Sequence, residues 1–225
     1  MGAEINMSPK WNKIRKRGVN IAGAAAWILM AAVLSATGQG GAGQPEELCL
    51  GGQPNAPVRI EVFSDFECPH CREFYLDTLK PLIADFTKEK RIDKIYIVYH
   101  DFPLDMHPNA RKAAGYALAA EKISREAWLR VIDAFYQDQA VWSQNGNIEG
   151  ELAKVLNPAD LARVKKLVAD PSIEQAVRLE VQLGQSRQIT MTPTFFIITQ
   201  SGRQQRVDGG LGYLVLKDRL EPLLK

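Results

Sequence analysis

The feature that most constrains the fold of this 225-residue chain is a pair of cysteines placed where a strand pattern gives way to a helical one. Residues 58–63 (VRIEVF) alternate apolar and polar side chains, which predicts a β-strand. The motif Cys68-Pro69-His70-Cys71 follows, and a helical pattern begins directly after it. Cys68 would then lie at a helix N-terminus, where unpaired N–H groups and the helix dipole stabilise a thiolate. We therefore expect a reactive thiol at Cys68 and a more buried partner at Cys71 that closes a disulfide with it.

Other uses of a cysteine pair fit this sequence less well. Zinc needs four ligands, so the pair would have to recruit His100, His107 or Cys49 from outside the motif. Attachment of a c-type haem requires a histidine directly after the second cysteine, where Arg72 stands. A purely structural disulfide stays open, although it does not explain why the motif opens a helix. We expect no metal and no bound cofactor, because the redox-active disulfide of the pair would serve instead.

The remaining sequence predicts an α/β protein with a long helical block. Strands are expected at residues 94–100 (KIYIVYH) and 194–199 (TFFIIT), the second leading into a hairpin. Pro81 is expected to stand at a break between two helical segments or in the first turn of the second one. Residues 108–187 are helical in pattern nearly throughout, and an amphipathic helix is expected at 213–224. This order of elements is that of a thioredoxin-like fold with an inserted helical subdomain.

The positive charge of the chain is concentrated at one end. The formal net charge is +2, but five of the 28 basic residues and only one of the 26 acidic residues lie within residues 1–38. Positions 39–225 therefore hold 23 basic and 25 acidic residues. Because the folded part has no basic excess with which to bind a polyanion, we expect no nucleic-acid partner.

The N-terminal segment has the pattern of an export signal. A basic cluster at residues 10–17 precedes an apolar run at residues 19–36, an arrangement that keeps the positive end in the cytoplasm. At 1.5 Å per residue the run covers about 27 Å, slightly less than a hydrocarbon core of about 30 Å. Residues 1–38 are predicted to be a cleaved signal peptide or an uncleaved inner-membrane anchor, and residues 39–51 a flexible linker. The protein is therefore expected to be periplasmic or otherwise extracytoplasmic.

Three segments resemble the DsbA-like family of thiol:disulfide oxidoreductases. They are residues 55–71 (NAPVRIEVFSDFECPHC), residues 99–107 (YHDFPLDMH) and Thr192-Pro193-Thr194. The resemblance implies a thioredoxin-like domain over residues 52–225, with its helical insertion at about 108–187. It also implies an enzyme that places disulfides in exported proteins in an oxidising compartment.

The resemblance assigns roles to individual residues. Cys68, Cys71 and His70 would be catalytic, and Pro69-His70 is the dipeptide associated with the oxidising members of the family. A His70 imidazole that is protonated or donates a hydrogen bond would stabilise the Cys68 thiolate. Thr192 and Pro193 would form a cis-proline loop that binds substrate, since a cis-proline leaves the preceding backbone free to pair with an extended chain. The implied partners are exported proteins with reduced cysteines and a membrane quinone-linked thiol oxidase that reoxidises the pair. The protein is expected to be a monomer.

One position departs from the family pattern. Members usually carry an acidic residue six positions before the first cysteine, where it faces the second cysteine and accepts its proton. This sequence has Val62 there, and the neighbouring Glu61 should face the other side of the strand. Asp65 or water is left as the proton acceptor for Cys71.

Two other functional readings stay open. A reductase or isomerase of the same fold would be kept reduced by a membrane donor, and a non-enzymatic module would bind metal or peptide through the same loop. Residues outside the motif are given ordinary roles. His100 and His107 are expected to be hydrogen-bonded structural groups, Trp128 and Trp142 to be packing residues, and Cys49 to be a spare thiol.

Overall fold

A computed structural model describes residues 47–224 of the chain. The predicted export segment at 1–38, its apolar run at 19–36 and the first part of the predicted linker lie outside these residues. Within residues 47–224, no helix combines the length and apolar character needed to span a membrane. The elements, in chain order, are β1 (Cys49–Gly52), β2 (Val58–Ser64), α1 (Pro69–Phe74), a π-helical turn (Tyr75–Leu79), α2 (Lys80–Lys88), a 3₁₀ turn (Ile92–Lys94), β3 (Ile95–Asp101), α3 (Ala110–Glu121), α4 (Arg125–Gln137), α5 (Gln139–Asn145), α6 (Ile148–Val155), α7 (Pro158–Leu167), α8 (Pro171–Ser186), β4 (Thr194–Thr199), β5 (Gln204–Asp208), α9 (Tyr213–Leu220) and a final 3₁₀ turn (Glu221–Leu223).

The strands form one five-stranded sheet in the order β1-β3-β2-β4-β5. Strands β2 and β3 are parallel, as expected for two strands joined through a helix, and the other pairs are antiparallel. The central strand β2 is covered on both faces, and Val58, Ile60 and Val62 are fully buried. This is the predicted thioredoxin-like α/β architecture.

The first strand corrects the predicted start of the domain. Residues 49–51 were expected to belong to a flexible linker, but β1 pairs antiparallel with β3 at the edge of the sheet. Leu48 and Leu50 are buried against the core, so the hydrophobic effect holds this segment to the fold. The folded domain therefore begins before residue 52.

The helix that follows the cysteine motif runs without interruption through α1, the π-helical turn and α2. Pro81 lies in the first turn of α2, one of the two places predicted for it. Proline removes one backbone donor and crowds the turn before it, and the helix accommodates this with the wider π-helical turn. The result is a long helix whose first turn carries the cysteines.

The helical insertion occupies Ala110 to Ser186, close to the predicted 108–187. Trp128 and Trp142 are completely buried there, so their predicted packing role is confirmed. The chain then returns to the sheet through a loop that precedes β4. Thr194, the first residue of β4, pairs opposite Phe63 near the end of β2. This register brings the loop before β4 next to the loop that carries the cysteines.

Candidate functional site

Cys68 is the N-cap residue of the long helix. Its backbone is extended (φ −75°, ψ 121°) and Pro69 occupies the first helical position, where the missing N–H costs nothing. The Cys68 carbonyl accepts hydrogen bonds from the N–H groups of Cys71 and Arg72, at 3.1 and 3.2 Å. The predicted position of the motif at a helix N-terminus is confirmed.

The surroundings of Cys68 favour its thiolate. Both thiols are free in the structure, and the pKa of Cys68 is lowered from 9.0 to about 5. The largest cause is a hydrogen bond from the Cys71 thiol, while burial acts in the opposite direction. Thr192 and the backbone N–H groups of Cys71 and His70 stabilise the thiolate further. Cys68 is therefore ionised at neutral pH.

Cys71 is in the opposite situation. It is only 1% exposed, and burial raises the pKa of its thiol well above the ordinary value, with the neighbouring Cys68 adding to the effect. The Ser64 hydroxyl and the backbone N–H of Asp65, 3.4 Å from the sulfur, offset part of this increase. Two cysteines one helical turn apart thus differ strongly in acidity.

His70 stabilises the Cys68 thiolate through its backbone N–H and not through its imidazole. The sequence suggested that its imidazole would stabilise the thiolate, but 78% of that side chain is exposed and its Nδ1 lies 3.8 Å from Glu73 Oε2. The backbone N–H of His70 is what contributes to the low pKa of Cys68. Replacing the imidazole alone would leave this hydrogen bond in place.

The loop before β4 completes the surroundings of Cys68. The Thr192–Pro193 peptide bond is cis, as predicted. Cys68 Sγ lies 3.3 Å from the Thr192 carbonyl oxygen, to which the thiol donates when it is protonated. The Thr192 hydroxyl is buried and has no other hydrogen-bond partner among residues 47–224, which leaves it free to donate to the Cys68 thiolate.

A groove opens beside the cysteines. It lies between the long helix and the two loops that lead into β4 and α9. It encloses about 390 Å³. Phe74, Pro193 and Met191 supply apolar surface, and the side chain of Met191 is half exposed. Glu73 and Asp77 add two carboxylates along the helix. The groove is wide enough and apolar enough to receive a segment of another chain.

Neither Glu61 nor Asp65 takes the place of the acid that the family pattern puts beside the second cysteine. Val62 is buried in the core, and Glu61 faces the other side of the sheet, where it pairs with Arg59 (2.7 Å) and Arg187. This confirms the predicted orientation of Glu61. The Asp65 carboxylate is also occupied, as it accepts hydrogen bonds from three groups at 2.7–2.8 Å: the backbone N–H groups of Glu67 and Leu104 and the His107 ring.

The residues that could have completed a zinc site lie elsewhere. His100 is hydrogen-bonded to Glu180 at 2.8 Å and His107 to Asp65, which confirms that both are hydrogen-bonded structural groups. Cys49 is half-buried in β1 at the sheet edge. Across residues 47–224, no three His, Cys, Asp or Glu side chains are grouped to hold a metal ion.

Comparison with known proteins places this geometry in a family. The Thioredoxin family model matches residues 45–207. The chain belongs to the thioredoxin family. The crystal structure of Pseudomonas aeruginosa DsbA2 is similar with a TM-score of 0.65 and 27% identity, over 80% of this chain and 96% of that one. The expected DsbA-like resemblance is confirmed.

Two curated relatives share part of their length with this thioredoxin-family chain. Disulfide bond formation protein D of Bacillus subtilis is 27% identical over 157 residues, which are 65% of each chain. Na(+)/H(+) antiporter NhaA 1 of Salinispora arenicola is 30% identical over 161 residues, which are 68% of this chain but 22% of that protein. In both cases the shared part is close in length to the segment that the family model matches, residues 45–207.

Proposed function

We propose that this thiol:disulfide oxidoreductase oxidises cysteine pairs in exported proteins as they fold. The observation that carries the proposal is the opposite treatment of two neighbouring thiols, Cys68 being made acidic and Cys71 being kept protonated. A stabilised thiolate exists only in the reduced protein. The same contacts therefore favour reduction of the protein and oxidation of its substrate, by about 30 mV for each 1.4 kcal/mol.

The reaction consists of two thiol–disulfide exchange steps. A substrate thiolate attacks Cys68 Sγ, the Cys68–Cys71 bond breaks, and the electron pair leaves on Cys71. A second substrate thiolate then attacks the substrate sulfur of the mixed disulfide and releases Cys68 as a thiolate. The substrate loses two electrons; one of its protons goes to Cys71 and the other to solvent.

The groove beside Cys68 is the proposed substrate site. An extended substrate segment would lie along Thr192 and Pro193, with apolar side chains against Phe74 and Met191. The exposed ring of His70 lines the same groove, so it is placed to contact the substrate rather than the sulfur. Pro69 fixes the first turn of the helix and with it the position of Cys68.

The names of the similar proteins support an oxidising role. The Bacillus subtilis relative is a disulfide bond formation protein, and the Pseudomonas aeruginosa structure is a DsbA2. By the same reasoning the partners of this protein are exported proteins with reduced cysteines, and a quinone-linked thiol oxidase of the membrane accepts its electrons. The protein would act as a monomer in the periplasm or an equivalent compartment, with residues 19–36 as the export or anchor segment. The Cys68–Cys71 disulfide would serve as its redox group in place of a bound cofactor.

Thiol labelling in intact cells tests the compartment on which this function depends. We expect a membrane-impermeant maleimide to label Cys68 in pre-reduced intact cells, because its thiolate is reactive while Cys71 is buried. A Cys49→Ser background removes the remaining thiol, and a Cys49→Ser, Cys68→Ser double variant is the matched control. Labelling of Cys68 only after lysis would contradict an oxidase role, since cytosolic thiols are kept reduced.

A further inference from the structure

A chain of three buried hydroxyl groups leads toward Cys71. The Tyr99 and Tyr136 hydroxyls lie 2.7 Å apart, and the Tyr136 and Ser64 hydroxyls lie 2.8 Å apart. The next residue, Asp65, places its backbone N–H 3.4 Å from Cys71 Sγ, and the Ser64 side chain acts to lower the pKa of the Cys71 thiol. Ser64, Tyr99 and Tyr136 are each nearly inaccessible to solvent, so none of these hydroxyls exchanges its partner for bulk water.

The sheet explains why these groups meet. Ser64 is the last residue of β2, two residues after Val62, and therefore lies on the same face of the sheet as Val62. Tyr99 lies on β3 opposite Val62, and Tyr136 reaches Ser64 and Tyr99 from α4 in the helical insertion. Hydroxyl groups thus stand beside Cys71 on the face where Val62 leaves it without an acid.

The hydrogen bonds can all point toward the sulfur. Each hydroxyl has one proton to donate and two lone pairs to accept with. If Tyr99 donates to Tyr136 and Tyr136 donates to Ser64, the Ser64 proton remains for Cys71. The Asp65 N–H approaches the same sulfur at 3.4 Å, so a Cys71 thiolate would receive two donors.

Resting on the proposed function, we infer that Ser64 is a catalytic residue that stabilises the Cys71 thiolate, with Tyr136 and Tyr99 as positioning residues that polarise its hydroxyl. When a substrate thiolate attacks Cys68, the electron pair of the broken S–S bond leaves on Cys71. Ser64 and the Asp65 N–H bear that charge until the second substrate thiol supplies its proton. In reoxidation Cys71 gives up this proton, and its thiolate attacks the Cys68 sulfur of the mixed disulfide with the electron acceptor.

The other titratable groups near Cys71 do not take over this role. Cys68 on α1 is in the mixed disulfide at that moment, and the Asp65 carboxylate is occupied by three donors. Asp101 on β3 is fully buried without a hydrogen-bond partner among residues 47–224, and burial raises its pKa well above the usual value. Burial therefore disfavours the charged carboxylate at this position. Tyr99 and Tyr136 are likewise held neutral by burial.

Rapid-mixing kinetics of the oxidised full chain with glutathione tests the inference. Ser64→Ala should slow the exchange roughly tenfold, because a hydrogen bond to a developing charge is lost. Tyr136→Phe should slow the exchange less. Because Tyr136 acts through Ser64, the double variant should be slowed by less than the product of the two single effects. Ser64→Thr restores a hydroxyl and should recover most of the rate.

A second readout separates catalysis from general damage. Ser64→Ala should leave the Cys68 pKa and the reduction potential at pH 7 unchanged, because Cys71 is protonated in the reduced protein at that pH. It should raise the pH at which Cys71 ionises. Tyr116→Phe is the matched control, since it removes a tyrosine hydroxyl that donates to Glu149 within the insertion.

The outcomes distinguish this inference from the proposed function. If the wild-type protein does not exchange with glutathione, the proposed function fails. If it exchanges and Ser64→Ala keeps the wild-type rate, or if Tyr116→Phe slows exchange as much as Tyr136→Phe does, the role of Ser64 is refuted.

Discussion

Replacement of Cys71 by serine should make the protein accumulate mixed disulfides with its substrates, whereas replacement of Cys68 should abolish exchange. Cys68 is the ionised thiol next to the groove, with a pKa of about 5, and Cys71 is the buried one. Without Cys71, the Cys68 thiolate can still attack disulfides already present in substrates, and no neighbouring thiol then displaces the substrate that it holds. Without Cys68 the remaining thiol is shielded and protonated at neutral pH.

Non-reducing electrophoresis of acid-quenched cells measures both results. The Cys71→Ser protein should migrate in several larger species that disappear on reduction, and the Cys68→Ser protein as the monomer. Cys49→Ser is the control for a cysteine outside the site and should behave as the wild type. Equal trapping by the Cys68 and Cys71 variants would contradict the assignment of Cys68 as the attacked sulfur.

The second large effect is that reduction should stabilise the fold at neutral pH, the opposite of what a structural disulfide does. The pKa of Cys68 in the folded, reduced protein is about 5, below its ordinary value of 9.0. A thiol whose pKa is lower in the folded protein than in the unfolded chain stabilises the fold. This contribution is complete above the unfolded-state pKa and is lost as the pH falls through the folded-state pKa. The high pKa of Cys71 has the reverse sign and penalises folding only above its own ordinary value.

Thermal unfolding with and without reductant tests this linkage. At pH 7 the reduced protein should unfold at the higher temperature, and the difference should shrink steadily toward pH 4. In Cys68→Ser the reductant should make no difference at either pH. A more stable oxidised form at pH 7 would contradict the low pKa of Cys68.

Much of the site could be predicted because its determinants are local in sequence. The strand at Val58–Ser64 and the helix after Cys68 both follow from short-range patterns, and the helix start is what distinguishes Cys68 from Cys71. The cis-proline was predicted from its resemblance to a family motif rather than from propensity. Each of these needs only neighbouring residues or a recognisable segment.

The remainder depends on tertiary contacts. Nothing in the sequence near Ser64 indicates that Tyr136, from a distant helix, would extend a hydroxyl chain to it. Likewise, nothing in the sequence near Asp65 indicates that the distant His107 would form a hydrogen bond with its carboxylate. The imidazole of His70 was expected to act on the sulfur because the residue lies inside the motif, but a helix start directs its N–H inward and its side chain outward. Strand β1 was missed because the alternation in Cys49–Gly52 is too short to indicate a strand.

The most direct test of the account is the reduction potential of the Cys68–Cys71 pair, measured against glutathione over a range of pH. With Cys68 ionised above pH 5 and Cys71 protonated, reduction takes up one proton for two electrons, so the potential should fall by about 30 mV per pH unit. Below pH 5 the slope should double to about 59 mV, because both sulfurs then take up a proton. At pH 7 the account predicts a value nearer the roughly −120 mV of DsbA than the roughly −270 mV of thioredoxin. A potential as reducing as that of thioredoxin, or a profile with no change of slope near pH 5, would contradict the oxidase assignment and favour a reductase.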